Sequence, residues 1–401
     1  MPEVVRARHA LERIRGALTR VTSSGRFLVE IDGLRFFAIA PVLLFHLNGY
    51  FLARGTPSAI TGAQHSLVNT LFQNGGVGVR LFFAISGFIL AMPFAESHIR
   101  GRPRVPISKY LLRRVTRLEP PYIINLVVCS VALVLISPPG LLTAAWLGHW
   151  IASATYLHNF IYGRISTINY VAWSLEVEVQ FYLVVPLLTA LYGLSRLHRR
   201  AVFTAIVVGN GFLNAFAVPL DDSRYTLALP FSLHYFFVGF LLADWYICEW
   251  NEDPARSTVS DIIGLVGWSL VIALPAGGFH QRLLLGPAIL LAYFGAFRGR
   301  LLNTVFRQPW LAVVGGMCYT IYLYHPLVVS VVGPVTRGIA VPGGYVPNVL
   351  LHAAITGTAT LAATSLLFIL FEKPFMYRNW PATAKGVFST VFPHDAASKS
   401  S

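Results

Sequence analysis

The chain of 401 residues is 55% hydrophobic and only 12% charged, whereas an average soluble domain has roughly 25% charged residues. This composition excludes an ordinary water-soluble protein, and three widely spaced cysteines support neither a disulfide framework nor a CxxC metal site. The formal charge of +14 would suggest a nucleic-acid surface in a soluble protein, but here the positions of the basic residues along the chain explain it.

Long apolar runs divide the chain into candidate membrane spans. A bilayer core about 30 Å thick needs about 20 mostly apolar residues per helix. We predict an all-α, polytopic integral membrane protein with about ten transmembrane helices in one bundle. The predicted spans are 34–53, 77–95, 120–137, 170–192, 201–219, 226–247, 261–276, 281–298, 309–333 and 346–371. The stretch 141–157 is apolar but short and carries His149 and two Trp, so we predict a re-entrant or interfacial helix there.

The positions of Lys and Arg predict how these spans are oriented, because basic residues in short loops favour the cytoplasmic side. With the N-terminus inside, 24 of the 31 Lys and Arg fall in inner segments and five in outer loops. Residues 1–32 contain six Arg and lack the apolar core of a signal peptide. We therefore expect a basic cytoplasmic segment at 1–32, a transmembrane domain at 33–372 and a polar cytoplasmic tail at 373–401. This distribution accounts for the charge without a nucleic-acid partner.

Ionisable residues inside spans cost about 2.5 to 3.5 kcal/mol each on insertion scales and are therefore candidates for function. In the first span, Arg35 lies at the inner mouth and His46 lies about 16 Å further along the helix, past mid-membrane. A lone histidine in an apolar helix is more often a packing residue. Glu178 in WSLEVEVQFYLVVP either orients a histidine or closes an internal hydrogen-bond network. Glu176 faces another side of that helix, and we expect one of the two glutamates to be structural.

Two further motifs place polar groups in the outer half of the predicted bundle. YTIYLYHP holds Tyr322 and His325 near the outer end of a span, where an aromatic belt at the membrane interface is the alternative interpretation. GVGVRLFFAISGF holds Ser86 among the small residues Gly78 and Gly87, where close helix packing is the alternative. Ser86 lacks the nucleophile elbow of hydrolases.

The inner side carries a basic cluster in KYLLRRVTRLEPPY, which consists of Arg113, Arg114 and Arg117. Arg113 and Arg117 share one helical face, a geometry that suits phosphate groups because arginine binds them bidentately. The alternative is a positive-inside signal that also contacts anionic lipid headgroups.

These motifs together resemble the acyltransferase-3 family of membrane-bound acyltransferases, which O-acetylates bacterial surface glycans, peptidoglycan and some natural products. The opening pattern of that family stands here as Asp32-Gly33-Leu34-Arg35, followed after ten residues by His46. The later blocks follow in family order and cover nearly the whole chain: LFFAISGF, RRVTRLEPPY, WSLEVEVQFYLVVP, YTIYLYHP and FEKP. The sequence departs from the pattern at Cys318, where we expect Ser, which weakens any role for that hydroxyl.

The resemblance implies an integral membrane O-acyltransferase that moves an acyl group, with acetyl as the first expectation, from cytoplasmic acyl-CoA to a hydroxyl. It assigns the functional arginine, histidine and glutamate of the family to Arg35, His46 and Glu178. His46 is then the general base, because an imidazole takes up a proton near neutral pH. A covalent acyl-histidine step is an open variant. The expected oxyanion or substrate-binding groups are Ser86, Tyr322 and His325. The expected binders of the acyl-CoA phosphates are Arg35, Arg113, Arg114 and Arg117. We also expect Ser86 to contact the bound donor.

The expected acceptor is a glycan, first a lipid-linked glycan or exopolysaccharide unit, and second a macrolide or another glycosylated small molecule. We expect membrane lipid as a partner, no metal, and a location in the bacterial cytoplasmic (inner) membrane. Many relatives carry a hydrolase-like domain after the last span, whereas this sequence ends about 30 residues beyond it, so we expect this chain to complete the transfer itself. A proton-coupled transporter or flippase is the competing class, although no inverted repeat is evident. A membrane scaffold for glycan assembly is a third class, but it would leave the buried charges unexplained.

Overall fold

The computed structural model describes residues 2–21, 28–136, 143–216, 223–250, 253–377 and 379–383. Within these ranges the chain is helical and contains no strand. Every predicted span overlaps a helix, and ten long helices form the bundle: α1 (Val29–Arg54), α2 (Val77–Arg100), α3 (Ile107–Ile136), α4 (Trp173–Leu188), α5 (Arg196–Phe216), α6 (Leu229–Cys248), α7 (Thr258–Ala273), α8 (Phe279–Arg298), α9 (Cys318–Thr336) and α10 (Tyr345–Leu367).

Seven stretches of the described chain are long and apolar enough to cross a membrane. They contain α1, α2, α3, α4, α6, α9 and α10. The other three helices are shorter or more polar: α7 has 16 residues, α5 begins with a basic turn, and α8 has an arginine near each end. The prediction of an all-α protein with about ten membrane helices is therefore confirmed in its class and approximately in its count.

The other described helices and turns precede, connect or follow these ten helices. They are the N-terminal helix Pro2–Leu18 and the helices or turns Pro57–Ile60, Ala63–His65, Leu67–Gln73, Asn74–Gly76, Ala144–Ala154, His158–Tyr162, Tyr170–Ala172, Thr189–Gly193, Ser223–Thr226, Arg300–Phe306, Pro309–Gly316, Phe368–Glu372 and Lys373–Met376. The stretch predicted to be re-entrant forms Ala144–Ala154, whose 11 residues span about 16 Å. This helix is too short to cross a bilayer core.

Small residues bring the central helices into backbone contact. A Cβ atom added to Gly87 on α2 would lie 2.1 Å from the carbonyl oxygen of Phe236 on α6. One added to Gly78 would lie 2.1 Å from the carbonyl oxygen of Ala38 on α1. These contacts confirm the role of small residues expected for the second span, and they hold α2 between α1 and α6.

The segments before α1 and after α10 pack against each other at one end of the bundle. Lys373 donates from Nζ to the carbonyl oxygens of Gly16 and Ala17, at 3.0 and 2.6 Å, and so satisfies the end of the N-terminal helix. Pro374, Phe375 and Met376 are buried, so the chain directly after Glu372 is packed. Residues 384–401 of the expected tail lie outside the described residues.

Candidate active site

A cavity of 660 Å³ lies inside the bundle, lined by α1, α2, α3, α4, α6 and α9. Seven of the nine predicted site residues line it: Arg35, Ser86, Arg113, Arg114, Arg117, Glu178 and Tyr322. His46 and His325 are not among the lining residues. The cavity therefore unites motifs that are far apart in the sequence, and it has a basic end and an end rich in hydroxyl groups.

At the basic end, two arginines share one buried carboxylate. Asp32 is 0% exposed and accepts from Nη1 of Arg35 at 2.6 Å and from Nε of Arg20 at 2.7 Å. Burial, and next the charge of Arg35, lower the pKa of Arg20 to about 10, so this arginine still carries its charge at neutral pH. Arg20 is a site residue that the sequence analysis did not identify. It lies in an arginine-rich N-terminal segment, and such arginines are interpreted as marking the cytoplasmic side of the membrane.

The arginines of α3 add further positive charge to the same end of the cavity. Nε of Arg114 is buried without a hydrogen-bond partner among the described residues, and its guanidinium carbon lies 5.7 Å from the ring of Tyr110. The acidic Glu372 accepts hydrogen bonds from the backbone N–H and the hydroxyl of Thr320. A guanidinium nitrogen that is buried and unpaired is suited to bind an anion that enters the cavity.

At the other end, three hydroxyl groups take part in two sets of hydrogen bonds, one of which includes a carboxylate. Ser86 donates to Oε1 of Glu178 at 2.6 Å. Tyr322 donates to the carbonyl oxygen of Val171 at 2.6 Å, and its oxygen lies 2.7 Å from that of Ser174. Because a carbonyl oxygen only accepts, Tyr322 has given its proton to Val171 and accepts from Ser174. Of the two interpretations of Glu178, this geometry matches the internal hydrogen-bond network.

Glu176 has a different environment from Glu178. It is 1% exposed, and its Oε2 accepts from the backbone N–H of Asn159 at 2.8 Å. The carboxylate therefore binds a backbone group that the first turn of the helix His158–Tyr162 leaves unpaired. This contact is structural, as expected for one of the two glutamates.

His46 lies beside the cavity, among other aromatic rings. Its Nδ1 lies 3.3 Å from the hydroxyl oxygen of Tyr170, and its ring centroid lies 4.9 Å from that of Phe45 and 5.0 Å from that of His325. The ring of Tyr322, which lines the cavity, lies 6.0 Å from that of His325. Tyr322 and His325 therefore connect the polar end of the cavity to His46.

Fold and cavity define a multi-pass membrane protein with a basic pocket inside its helical bundle. The chain belongs to the acyltransferase-3 family, whose acyltransferase domain matches residues 28–369. It is 25% identical over 388 residues to the O-acetyltransferase OatA of Staphylococcus aureus strain NCTC 8325, an alignment that covers 90% of this chain and 59% of OatA.

A putative O-acetyltransferase of S. aureus strain COL is 24% identical over 379 residues, which cover 87% of this chain and 57% of that protein. The chain thus spans less than two thirds of the length of either relative. No solved structure matches the chain significantly.

Proposed function

We propose that this protein transfers an acyl group, acetyl in the first place, from acyl-CoA to a hydroxyl of a glycan or glycosylated acceptor. The observation that carries the proposal is a cavity that has arginines at one end and hydroxyl groups at the other. Two relatives are named O-acetyltransferases, which supports acetyl as the group and oxygen as the acceptor atom. The transferred group and the donor remain part of the proposal.

The basic end of the cavity supports a phosphorylated donor. Coenzyme A carries a diphosphate and a 3′-phosphate, and arginine binds such groups bidentately. Arg20, Arg35 and Arg117 all line the cavity, and Arg20 is repelled by the charges of the other two, so a bound anion would relieve this repulsion. The pantetheine arm would then extend toward Ser86 and Glu178. We place this basic end and both chain termini on the cytoplasmic side of an inner membrane, as the distribution of Lys and Arg suggests.

The proposed chemistry begins on the acceptor hydroxyl, with His46 as general base. His46 takes the hydroxyl proton while the oxygen attacks the thioester carbonyl carbon. The carbon–sulfur bond then breaks, and His46 returns the proton to the sulfur of coenzyme A. The products are an ester and a free thiol, and the enzyme is unchanged. Direct transfer needs no acyl-histidine intermediate.

The acceptor we propose is a lipid-linked glycan or an exopolysaccharide unit that approaches His46 from the outer side. A strain that lacks the protein is complemented with the wild type, His46→Ala or the control His280→Ala, whose histidine is exposed on α8. Proton NMR of surface glycans and secreted glycosides then reports O-acyl esters. We expect an ester signal that disappears on deletion and returns with the wild type and His280→Ala but not with His46→Ala.

Two other results would contradict parts of the proposal. An ester that returns with His46→Ala would show that His46 is not the base. If no ester changes and purified protein does not consume acyl-CoA in the presence of glycan, O-acyl transfer itself is wrong. The transporter class, which predicts no acyl-CoA consumption, would then be favoured.

A further inference from the structure

The backbone of α9 fixes the hydrogen position on His325. His325 is 0% exposed, and its Nδ1 lies 3.1 Å from the carbonyl oxygen of Ile321, one turn earlier in the helix. Since a carbonyl oxygen only accepts, Nδ1 carries the hydrogen of the neutral ring and Nε2 carries a lone pair. In this arrangement His325 accepts a hydrogen bond at Nε2 and cannot donate one there.

The lone pair of His325 has no donor. Nε2 is buried and has no hydrogen-bond partner among the described residues, although buried polar nitrogens are nearly always paired. The adjoining Tyr322 cannot supply a hydrogen, because its hydroxyl proton is given to Val171. The other adjoining ring is that of His46, 5.0 Å away between centroids.

Among the described residues, His46 has no acidic partner of the kind that usually orients a histidine base. In the part of the chain that the structure describes, the hydrogen-bond partner of His46 is the hydroxyl of Tyr170, at Nδ1, and Glu178 is bonded to Ser86 instead. A histidine base donates one N–H to a fixed acceptor and keeps the lone pair of its other nitrogen for the incoming proton. The hydroxyl of Tyr170 lies at Nδ1, so a fixed acceptor would have to lie at Nε2.

We propose that His325 is the positioning residue of His46 and supplies the fixed acceptor at Nε2 of His46. This inference rests on the proposed function. The Nε2–H of His46 donates to the lone pair on Nε2 of His325. The lone pair on Nδ1 of His46, which the hydroxyl of Tyr170 contacts in the resting structure, takes the proton of the acceptor hydroxyl and later returns it to the sulfur. The two imidazole rings are tilted by 42°, and a rotation of the His46 side chain brings the two nitrogens together. His325 keeps its own proton throughout, while the proton from the hydroxyl passes from His46 to the departing thiolate.

Two substitutions of His325 separate this role from simple packing. His325→Gln keeps a side-chain oxygen that can accept a hydrogen bond, whereas His325→Phe keeps a ring without an acceptor. We expect His325→Phe to lower kcat about 100-fold, as loss of an orienting partner does, with the KM for acyl-CoA within about twofold of wild type. His325→Gln should recover at least about tenfold of that loss. If the histidine only fills space, the order is reversed, because a buried amide without partners is worse than a phenyl ring.

His234 on α6 is a matched control. It is 1% exposed, its Nδ1 is bonded to Asn210, and its Nε2 likewise has no partner among the described residues. Its Phe and Gln variants should keep kcat within about threefold of wild type, since this histidine does not adjoin His46. Size-exclusion chromatography of each purified variant reports folding, and His325→Leu replaces His325→Phe if the latter is not monodisperse.

The outcomes distinguish this inference from the function on which it rests. Wild type that consumes no acyl-CoA with acceptor present defeats the proposed function. Two results with active wild type would defeat the inference and leave the proposed function standing. One is a fully active His325→Phe variant, and the other is a lower kcat for His325→Gln than for His325→Phe. Both the inference and the proposed function are supported if His325→Phe has low activity, His325→Gln restores it, and the His234 variants are unaffected.

Discussion

The Ser86 hydroxyl donates to Oε1 of Glu178 at 2.6 Å and joins α2 to α4 at the polar end of the cavity. The two residues are 92 positions apart in the chain, and each belongs to a separate sequence motif. Because the carboxylate lies among membrane helices, the serine supplies a polar contact that lipid and apolar side chains cannot. Loss of this contact has measurable consequences.

Ser86→Ala should lower the stability of the protein by about 1 to 3 kcal/mol, because it leaves the partner carboxylate without its donor. The effect should be coupled to Glu178→Gln in a double-mutant cycle followed by thermal unfolding in detergent. Ser330→Ala is the control, since Ser330 donates only within its own helix to Pro326 at 2.8 Å. Additive effects of Ser86→Ala and Glu178→Gln would contradict the contact.

Asp32→Asn should be strongly destabilising, because it removes the carboxylate shared by Arg20 and Arg35. Removal of one partner from a buried ion pair typically costs about 3 to 5 kcal/mol, which tryptophan fluorescence during thermal unfolding can detect. Glu12→Gln serves as the control, since the Glu12 side chain is 67% exposed. Equal melting temperatures for Asp32→Asn and wild type would show that the arginines do not depend on this carboxylate.

Gly315→Ala should disturb the same end of the cavity by steric conflict. A Cβ atom at this position would lie 1.8 Å from the backbone oxygen of Asp32, so α1 and the helix Pro309–Gly316 would have to move apart. The matched control is Gly357→Ala on α10, where nothing lies within 4 Å of the added atom and alanine favours a helix by about 1 kcal/mol. We expect lower stability for the first variant and unchanged or higher stability for the second, and the opposite order of melting temperatures would refute this packing.

Arg117→Gln should weaken the binding of acyl-CoA if the arginines of α3 bind its phosphates. We expect the KM for acyl-CoA to rise at least about tenfold with little change in kcat, because one lost charge-assisted hydrogen bond is worth about 1.5 to 3 kcal/mol. Arg298→Gln, at the end of α8 with its Nε bonded to Ala255, is the basic control outside the cavity. If KM stays constant and activity instead becomes insensitive to anionic lipid, the arginines bind headgroups and not the donor.

The helices could be predicted well from the sequence, and their ends less well. Apolar runs located all ten helices of the bundle, because burial in lipid requires apolar residues over a fixed length. The third span was predicted to begin at residue 120, which is wrong: α3 begins at Ile107 and passes through Pro120 and Pro121. Prolines are tolerated inside membrane helices, where neighbouring groups satisfy the freed backbone. Hydropathy marks where a helix meets lipid and not where it starts.

The motifs identified most of the cavity lining, but not its contacts. Arg35, Glu178 and Tyr322 came from separate motifs and meet in one cavity. The sequence left open whether Glu178 orients a histidine, and the structure instead pairs it with Ser86. The motifs also predicted His325 as an oxyanion or substrate group, and the structure adds that its Nδ1 is bonded to the carbonyl oxygen of Ile321. Such details depend on the side-chain geometry of packed helices, which periodicity does not encode.

By itself, the sequence determined the membrane class, the approximate number of helices and the family, because length, hydropathy and ordered motifs are local properties of the chain. Only the tertiary structure decided which polar groups pair, since those pairs connect helices far apart in the sequence. The tertiary structure brings Arg20 to Asp32 and leaves His46 outside the cavity lining. It also places the rings of Tyr322 and His325 between the cavity and His46. The physical reason is that a buried polar group must find its partner in three dimensions, and the packing of small residues between helices sets which partner lies within reach.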